Sequence, residues 1–370
     1  MENTKIVIKT KSKSYPIYFG DRILSTAGKI VKKRLPNVKK IVIISDKNIP
    51  SIFLKKLSKS LRKYNLKIYK VVAKEKTKSF KVANKLIEKL LHNNLNRSDC
   101  IISFGGGIIG DLSAFVSNLT KRGIKFVNIP TTLLAQVDAS IGGKTAINST
   151  QGKNLIGTFY QPDFVLMDTS ILKSLPRREM INGYGEILKH SLISDRKFFL
   201  WLGKNAKKII NNKDKKLLKY AIIQSCKIKA TIVSKDEEEK NLRKILNFGH
   251  TFAHGFEGAK NFSTKLNHGE AVLLGMMMAS QLSCKKKLLP INDLNLIKQH
   301  YLKLNLPMDI KTKFIKKEVN KILNFMRKDK KNLDNKINLI LLKKIGKTNE
   351  INSFKVTNKE MKKFLLESFN

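Results

Sequence analysis

The first half of the chain alternates short apolar runs with helical spacings. Residues 41–45 (IVIIS) form an unbroken apolar run closed by Asp46, as a strand buried on both faces requires. Residues 67–73 and 100–104 (CIISF) predict two further strands, and residues 126–129 and 164–167 two more. Between them Phe80, Val82, Ala83, Leu86, Ile87, Leu90 and Leu91 recur at helical spacing, so residues 79–92 predict a helix. The opening residues, with Ile6, Val7 and Ile8 between lysines, predict an N-terminal strand. After about Ser170 the pattern changes to long helices, over residues 179–192, 214–234 and 269–289. The expected fold is an α/β N-terminal domain with a Rossmann-like parallel sheet over residues 1–170. A mostly α-helical C-terminal domain over residues 171–370 follows it.

Composition narrows the class. A chain of 370 residues with 42% hydrophobic positions can bury two ordinary cores. No run approaches the ~20 apolar residues of a membrane span, and the start lacks the apolar segment of a signal peptide. Cys100, Cys226 and Cys284 are odd in number and far apart, which argues against a disulfide framework and a cysteine metal site. A cytoplasmic enzyme without a membrane partner is the expectation. The charge is extreme, with 74 Lys plus Arg against 28 Asp plus Glu, a net +46. Nucleic-acid binding is one reading of it. The lysines are dispersed over the whole chain, however, and no recognised nucleic-acid motif accompanies them. A compositional bias on solvated faces explains them better, so no nucleic-acid partner is expected.

Four segments carry chemistry. The strand at 100–104 runs into GGGIIGD (105–111), whose Gly105, Gly107 and Gly110 satisfy the GxGxxG spacing before a helix. Bare backbone there can approach a pyrophosphate at a helix N-terminus. No acidic residue stands about 20 positions later to hold a ribose, so the ordinary dehydrogenase fingerprint fails. Asp46, with Asn48 beside it, is the better ribose candidate. Next, PTTLLAQVDASIGGKTAIN (130–148) and GKNLIG (152–157) set Asp138, Lys144 and Lys153 among small residues, as in a lined anion pocket. In NGYGEILKH (182–190), Glu186 and Lys189 share a helix face, where a surface ion pair is the plain alternative. Finally Arg243, NFGHTFAH (247–254) and NHGE (267–270) bring three of the six histidines close together in sequence. Two imidazoles at i, i+4, here His250 and His254, can meet one metal, and nitrogen and oxygen donors without cysteine suit Zn2+ or Co2+. Spacing alone does not choose which two of these three histidines bind it.

These segments, with HGEAV (268–272) and MRKDKK (326–331), resemble the 3-dehydroquinate synthase family in order and spacing. The resemblance implies a phosphate-eliminating lyase of the shikimate route to chorismate and aromatic amino acids. Its substrate would be 3-deoxy-D-arabino-heptulosonate 7-phosphate. The reaction would run through transient oxidation by NAD, β-elimination of phosphate, re-reduction and an intramolecular aldol closure to 3-dehydroquinate. By the same resemblance Glu186, His250 and His268 are metal ligands. Lys144, Lys189, Asn247 and His254 join Glu186 as catalytic residues, His254 for proton relay. Arg122, Asp138, Lys153, Asn154, Lys229, Arg243, Lys330 and Lys331 bind substrate, with Arg122 reaching in from the second subunit of a homodimer. Asp46, Asn48, Glu75, Lys78, Gly106, Gly107, Ile108, Asp111, Thr131, Thr132, Leu134, Lys144, Lys153 and Ser174 match the NAD positions. Ser174 replaces the family's usual threonine and keeps its hydroxyl. The run at 236–239 departs from the usual mixed stretch and reads as a solvated helix end. Other readings are a different NAD- and metal-dependent sugar-phosphate cyclase, or a metal-dependent polyol dehydrogenase.

Overall fold

The computed structural model describes residues 4–327 and 336–369. The chain divides into two compact units, Met1–Met180 with Lys213–Glu238, and Ile181–Asn212 with Glu239–Asn370.

The first unit is built on a seven-stranded sheet ordered β1-β2-β9-β6-β5-β3-β4. Its strands are β1 (Thr4–Lys9), β2 (Ser14–Gly20), β3 (Lys40–Asp46), β4 (Asn65–Val71), β5 (Cys100–Gly105), β6 (Lys125–Pro130) and β9 (Phe164–Asp168). β1 pairs antiparallel with β2, and every other pairing is parallel. Parallel strands covered on both faces need apolar side chains both ways, and β3 and β5 are apolar and buried through their centres. Alternation then sorts the residues. Ile41, Ile43 and Ile102 pack with Ala27 and Val31 of α1 (Ala27–Arg34) and Leu57 of α2 (Ser51–Ser60). Val42, Ile44 and Ile101 pack instead with Leu86 of α3 (Phe80–His92) and Leu112 and Phe115 of α4 (Gly107–Leu119). The lysine-bearing β4 closes one edge, where charge discourages further pairing.

Two elements of this unit are not evident from hydrophobic spacing. β2 (SYPIYFG) contains a proline, and its partner β1 is amphipathic. The hairpin of β7 (Lys144–Ser149) and β8 (Gly152–Phe159) is rich in polar residues and mostly only half-buried. The sequence places all residues beyond 170 in the helical half, whereas α7 (Lys215–Lys235) belongs to the sheet unit. Its N-cap Asp214 accepts the backbone N–H groups of Lys216 and Leu217.

The second unit is mostly helical. It holds α5 (Arg177–Ser194, from Ile181 onward), α6 (Arg196–Lys207), α8 (His250–Ala259), α9 (His268–Lys285), α10 (Ile291–Leu304), α11 (Val319–Arg327) and α12 (Asn358–Glu367). Residues 181–193 of α5 are all buried, as are most of those in α9. Helices buried on every side are core helices rather than amphipathic ones, and α5 buries its charged Glu186 and Lys189 as well. α9 ends at Lys285, four residues before the expected stop at Leu289, in a turn closed by Leu288 and Leu289 N–H groups on the Ser283 carbonyl. Among the described residues no helix is long and apolar enough to cross a membrane.

Candidate functional site

In the sheet unit, the expected dinucleotide residues collect at the carboxyl ends of the strands. β3 leads into α2 on one face, and β5 leads into α4 on the other, so the chain switches direction between these neighbouring strands. Ligands of open α/β sheets bind at such a switch point. Asp46 ends β3, and its Oδ1 accepts the N–H of Asn48 at 3.0 Å. Gly105 ends β5, Gly106 caps α4, and Gly107 and Ile108 open it. The first N–H groups of a helix have no partner inside it and suit a phosphate. Gly110 and Asp111 lie within α4 rather than in a loop. Thr131, Thr132 and Leu134 follow β6, and the Thr131 N–H returns to the Gly105 carbonyl at 3.0 Å. Ser174 closes a short turn by donating its hydroxyl to the Ile171 carbonyl at 2.8 Å.

A polar network runs through the same unit. Lys78 is buried and donates to Asp111 Oδ2 at 2.7 Å and to Asn154 Oδ1 at 2.5 Å. Burial raises the Asp111 carboxyl above its usual value, with Lys78 opposing that rise. Glu75 accepts from Asn148 Nδ2 at 2.8 Å and lies 3.7 Å from Lys153 Nζ. Lys229 of α7 meets Asp138 at both its backbone oxygen (2.6 Å) and Oδ1 (2.5 Å). Asp138 sits in a π-helical turn, Ala135–Ala139, a form that often marks functional sites. Lys144 opens β7 and is exposed. Arg122 is exposed in a turn where Lys121 and Arg122 both have positive φ, 50° and 60°.

The helical unit carries the three candidate histidines. Glu186 and Lys189 project from α5, His250 is the first residue of α8, and His268 the first of α9. Gly249, just before α8, has φ +79°, and a Cβ there would meet the Met276 backbone nitrogen of α9 at 2.7 Å. Glycine alone lets α8 start this close to α9. Asn182 Oδ1 accepts the Gly269 N–H at 2.5 Å, tying the start of α9 to α5. The surface ion pair considered for Glu186 and Lys189 is excluded, because both side chains are buried.

The donor atoms converge. His250 Nε2 lies 3.7 Å and His268 Nε2 3.9 Å from Glu186 Oε1. Ligand atoms of Glu186, His250 and His268 all lie within 4.8 Å of one another. The Glu186 carboxylate is fully buried and ion-paired to Lys189, yet neither oxygen has a hydrogen-bond partner. The Lys189 ammonium answers Oε2, and Oε1, which both imidazoles face, is the oxygen left for a metal. Donors around a tetrahedral zinc bonded at ~2.0–2.1 Å stand roughly 3.3 Å apart, so each imidazole nitrogen needs to approach Glu186 Oε1 by only about half an ångström. The residues fit a metal. His254 sits elsewhere: it is exposed and edge-on to His250, with ring centroids 5.8 Å apart. Arg243 is buried, and Asn247 donates to Glu239 Oε1 at 2.5 Å. The run at 236–239 is therefore a solvated helix end only in part: Glu238 is exposed, but Glu237 is buried, accepting from Ser12 and Gln161. Lys330 and Lys331 lie outside the described residues. Sequence reading did not single out Glu257, whose Oε2 lies 3.2 Å from His268 Nδ1. Its position seven residues after His250, two turns along α8, was the available signal.

Comparison with known proteins divides the chain near residue 182, with α7 of the sheet unit falling in the second part. Residues 68–182 match the 3-dehydroquinate synthase N-terminal family model, and residues 183–332 the C-terminal one. The 3-dehydroquinate synthase of Pelagibacter ubique (strain HTCC1062) is 52% identical over 342 residues, 92% of this chain and 93% of that protein. That of Thermoanaerobacter pseudethanolicus is 40% identical over 344 residues, 92% of this chain and 95% of that protein. A solved 2-deoxy-scyllo-inosose synthase, complexed with carbaglucose-6-phosphate, NAD+ and Co2+, aligns with TM-score 0.86 at 26% identity, covering 98% of this chain and all of that one.

Proposed function

Because the chain belongs to the 3-dehydroquinate synthase family, we propose that its sheet unit holds NAD and that Glu186, His250 and His268 hold its metal. The protein is a lyase-type cyclase that converts 3-deoxy-D-arabino-heptulosonate 7-phosphate to 3-dehydroquinate and phosphate. Its cofactors are NAD and one divalent metal, Zn2+ or Co2+. When bound, NAD supplies reversible hydride transfer and the metal a Lewis acid for the substrate oxygen. The observation that carries this site is the buried Glu186 carboxylate, unpartnered by hydrogen bonds and faced by two imidazole nitrogens.

The chain's own residues do the rest. Asp46 and Asn48 at the end of β3, and the opening N–H groups of α4, are placed to bind the ribose and phosphates of the dinucleotide. Glu75, Lys78, Asp111, Thr131, Thr132, Leu134 and Ser174 are the further proposed cofactor residues. In the helical unit, Lys189 and Arg243 offer buried cations to an anionic substrate, and Asn247 an amide. In the sheet unit, Asp138, Lys144, Lys153, Asn154 and Lys229 are the proposed substrate residues. His254, exposed beside His250, is the proposed proton relay. Arg122, exposed on its turn, is proposed to serve the partner subunit's site in a homodimer. Mixing Arg122→Ala with Glu186→Gln chains tests this: random pairing restores about a quarter of the sites only if Arg122 acts across the dimer.

The test of function supplies the heptulosonate phosphate, substoichiometric NAD+ and Zn2+ or Co2+, and follows phosphate, dehydroquinate and NADH together. Stoichiometric phosphate and dehydroquinate without net NADH is the expected result. Steady NADH accumulation, or no phosphate, would overturn the reading in favour of a polyol dehydrogenase or another cyclase.

A further inference from the structure

The two histidines of the triad are not held alike. His250 Nδ1 lies 3.3 Å from the Phe248 carbonyl oxygen, and His268 Nδ1 lies 3.2 Å from Glu257 Oε2. Neither a carbonyl nor a carboxylate can donate, so each ring, when neutral, carries its proton on Nδ1 and its lone pair on Nε2. Those two Nε2 atoms are the ones that face Glu186 Oε1, at 3.7 and 3.9 Å. For His250 the tautomer is set by its own backbone two residues away. For His268 it is set by a buried side chain from another helix, two turns beyond His250 along α8.

We propose that Glu257 is a positioning residue that holds His268 in its metal-binding tautomer and direction and strengthens it as a donor. This rests on the metal reading above. α8 thus carries one ligand at its first residue and the brace of another ligand at its eighth. The carboxylate matters by charge as well as by place. A carboxylate accepting the Nδ1–H pushes electron density toward Nε2, which a neutral acceptor of the same shape does less. Glu257 is itself buried, with a side chain 8% exposed, so little solvent screens this effect.

The test measures metal affinity, not turnover. Zn2+ and Co2+ dissociation constants are read by competition with a chromophoric chelator for the unaltered protein, Glu257→Gln and Glu257→Ala. Outer partners of metal-binding histidines are typically worth 10- to 100-fold in affinity, so Glu257→Ala should weaken binding by about that factor. Glu257→Gln keeps an acceptor without the charge and should fall between the two. Imidazole nitrogen spectra of the metal-free proteins should show the His268 Nδ1–H signal in the unaltered protein and the Gln variant, and its loss or shift in the Ala variant. Equal affinity in all three proteins, with the metal-free Gln variant folded as the unaltered one, overturns the role of Glu257 and leaves the triad intact. An unaltered protein that takes up neither metal overturns the triad itself, and this inference with it. Should Glu257→Ala not fold, the isosteric Gln variant decides: an affinity within twofold of the unaltered protein refutes the proposal.

Discussion

Replacing Gly269 by alanine tests whether the approach of α9 to α5 sets the metal ligands. A Cβ at Gly269 would stand 2.2 Å from the Asn182 carbonyl oxygen and 2.5 Å from its Cα. Both are backbone atoms of a buried helix, so no side chain can swing aside. Relief to an ordinary carbon–oxygen contact of ~3.3 Å or more requires α9 to withdraw by about an ångström at its start. That shift also strains the 2.5 Å hydrogen bond from the Gly269 N–H to Asn182 Oδ1. His268 is the adjacent residue and Glu186 lies one turn after Asn182, so the withdrawal separates two ligands. Overpacking of this kind costs roughly 1–3 kcal/mol, against which alanine regains at most about 1 kcal/mol of helix propensity. A net loss near 2 kcal/mol lowers Tm by roughly 4–8 °C for a unit of this size. Metal affinity should fall at least about tenfold, as for other displaced metal-site groups. Thermal melting of the metal-free protein and chelator competition measure the two effects. Gly203→Ala is the control: its nearest atom is His300 Nδ1 at 3.8 Å, an ordinary contact, so stability should hold or rise. A Gly269→Ala protein that melts within ~1 °C of the parent and binds metal equally would refute the reasoning.

Lys189→Met leaves the buried Glu186 carboxylate without its ion-pair partner and should destabilise the metal-free protein by ~3–5 kcal/mol. Adding Glu186→Gln to that variant should recover most of the loss while abolishing metal binding, and a double-mutant cycle reads the coupling. Burial, with the Lys303 charge second, lowers His300 from 6.5 to about 4, and its Nε2 lies 2.8 Å from the Tyr184 hydroxyl. The unfolded chain therefore takes up this proton first as pH falls. Stability is complete above about pH 6.5 and declines toward pH 4, by roughly 3 kcal/mol in all. His300→Phe should flatten that part of the unfolding-versus-pH curve, and an unchanged slope would count against it. Glu237 acts in the same direction at lower pH. Burial works to raise its carboxyl, but the side-chain and backbone hydrogen bonds from Ser12 and the one from Gln161 outweigh it and hold it low. Its contribution is present above the ordinary carboxylate range and lost as pH falls through its folded value; Glu237→Gln should remove that step from an acid titration followed by circular dichroism.

The sheet was legible where its strands are buried on both sides. An apolar run such as residues 41–45 states its environment without reference to a partner, and it appears as β3. β2 and the β7–β8 hairpin were not legible, because their stability comes from pairing with distant or exposed segments. The placement of α7 is of the same kind. Its helical period predicts a helix over 214–234, but only side-chain contacts such as Lys229 with Asp138, Cys226 with the Gln136 carbonyl and Lys215 with Asp21 tie it to the sheet unit.

The metal-binding cluster shows a sharper limit. The i, i+4 spacing of His250 and His254 places two imidazoles on one helix, yet the convergence is between His250 and His268, from two helix starts. Periodicity reports which side of one helix a residue occupies; it does not report which helices approach. The better signal lay in α5. Asn182, Tyr184, Glu186, Lys189 and Ser191 are polar, and all are buried. A helix can bury such groups only where each finds a partner. Asn182 is held by the Gly269 N–H, Tyr184 by His300, Lys189 by Glu186, and Ser191 by the Leu188 carbonyl. Glu186 is answered by the Lys189 ammonium at Oε2, while its Oε1 faces the two imidazole Nε2 atoms. That second oxygen is therefore where an added positive charge stabilises most, which is what a divalent cation between Glu186 and the two Nε2 atoms provides.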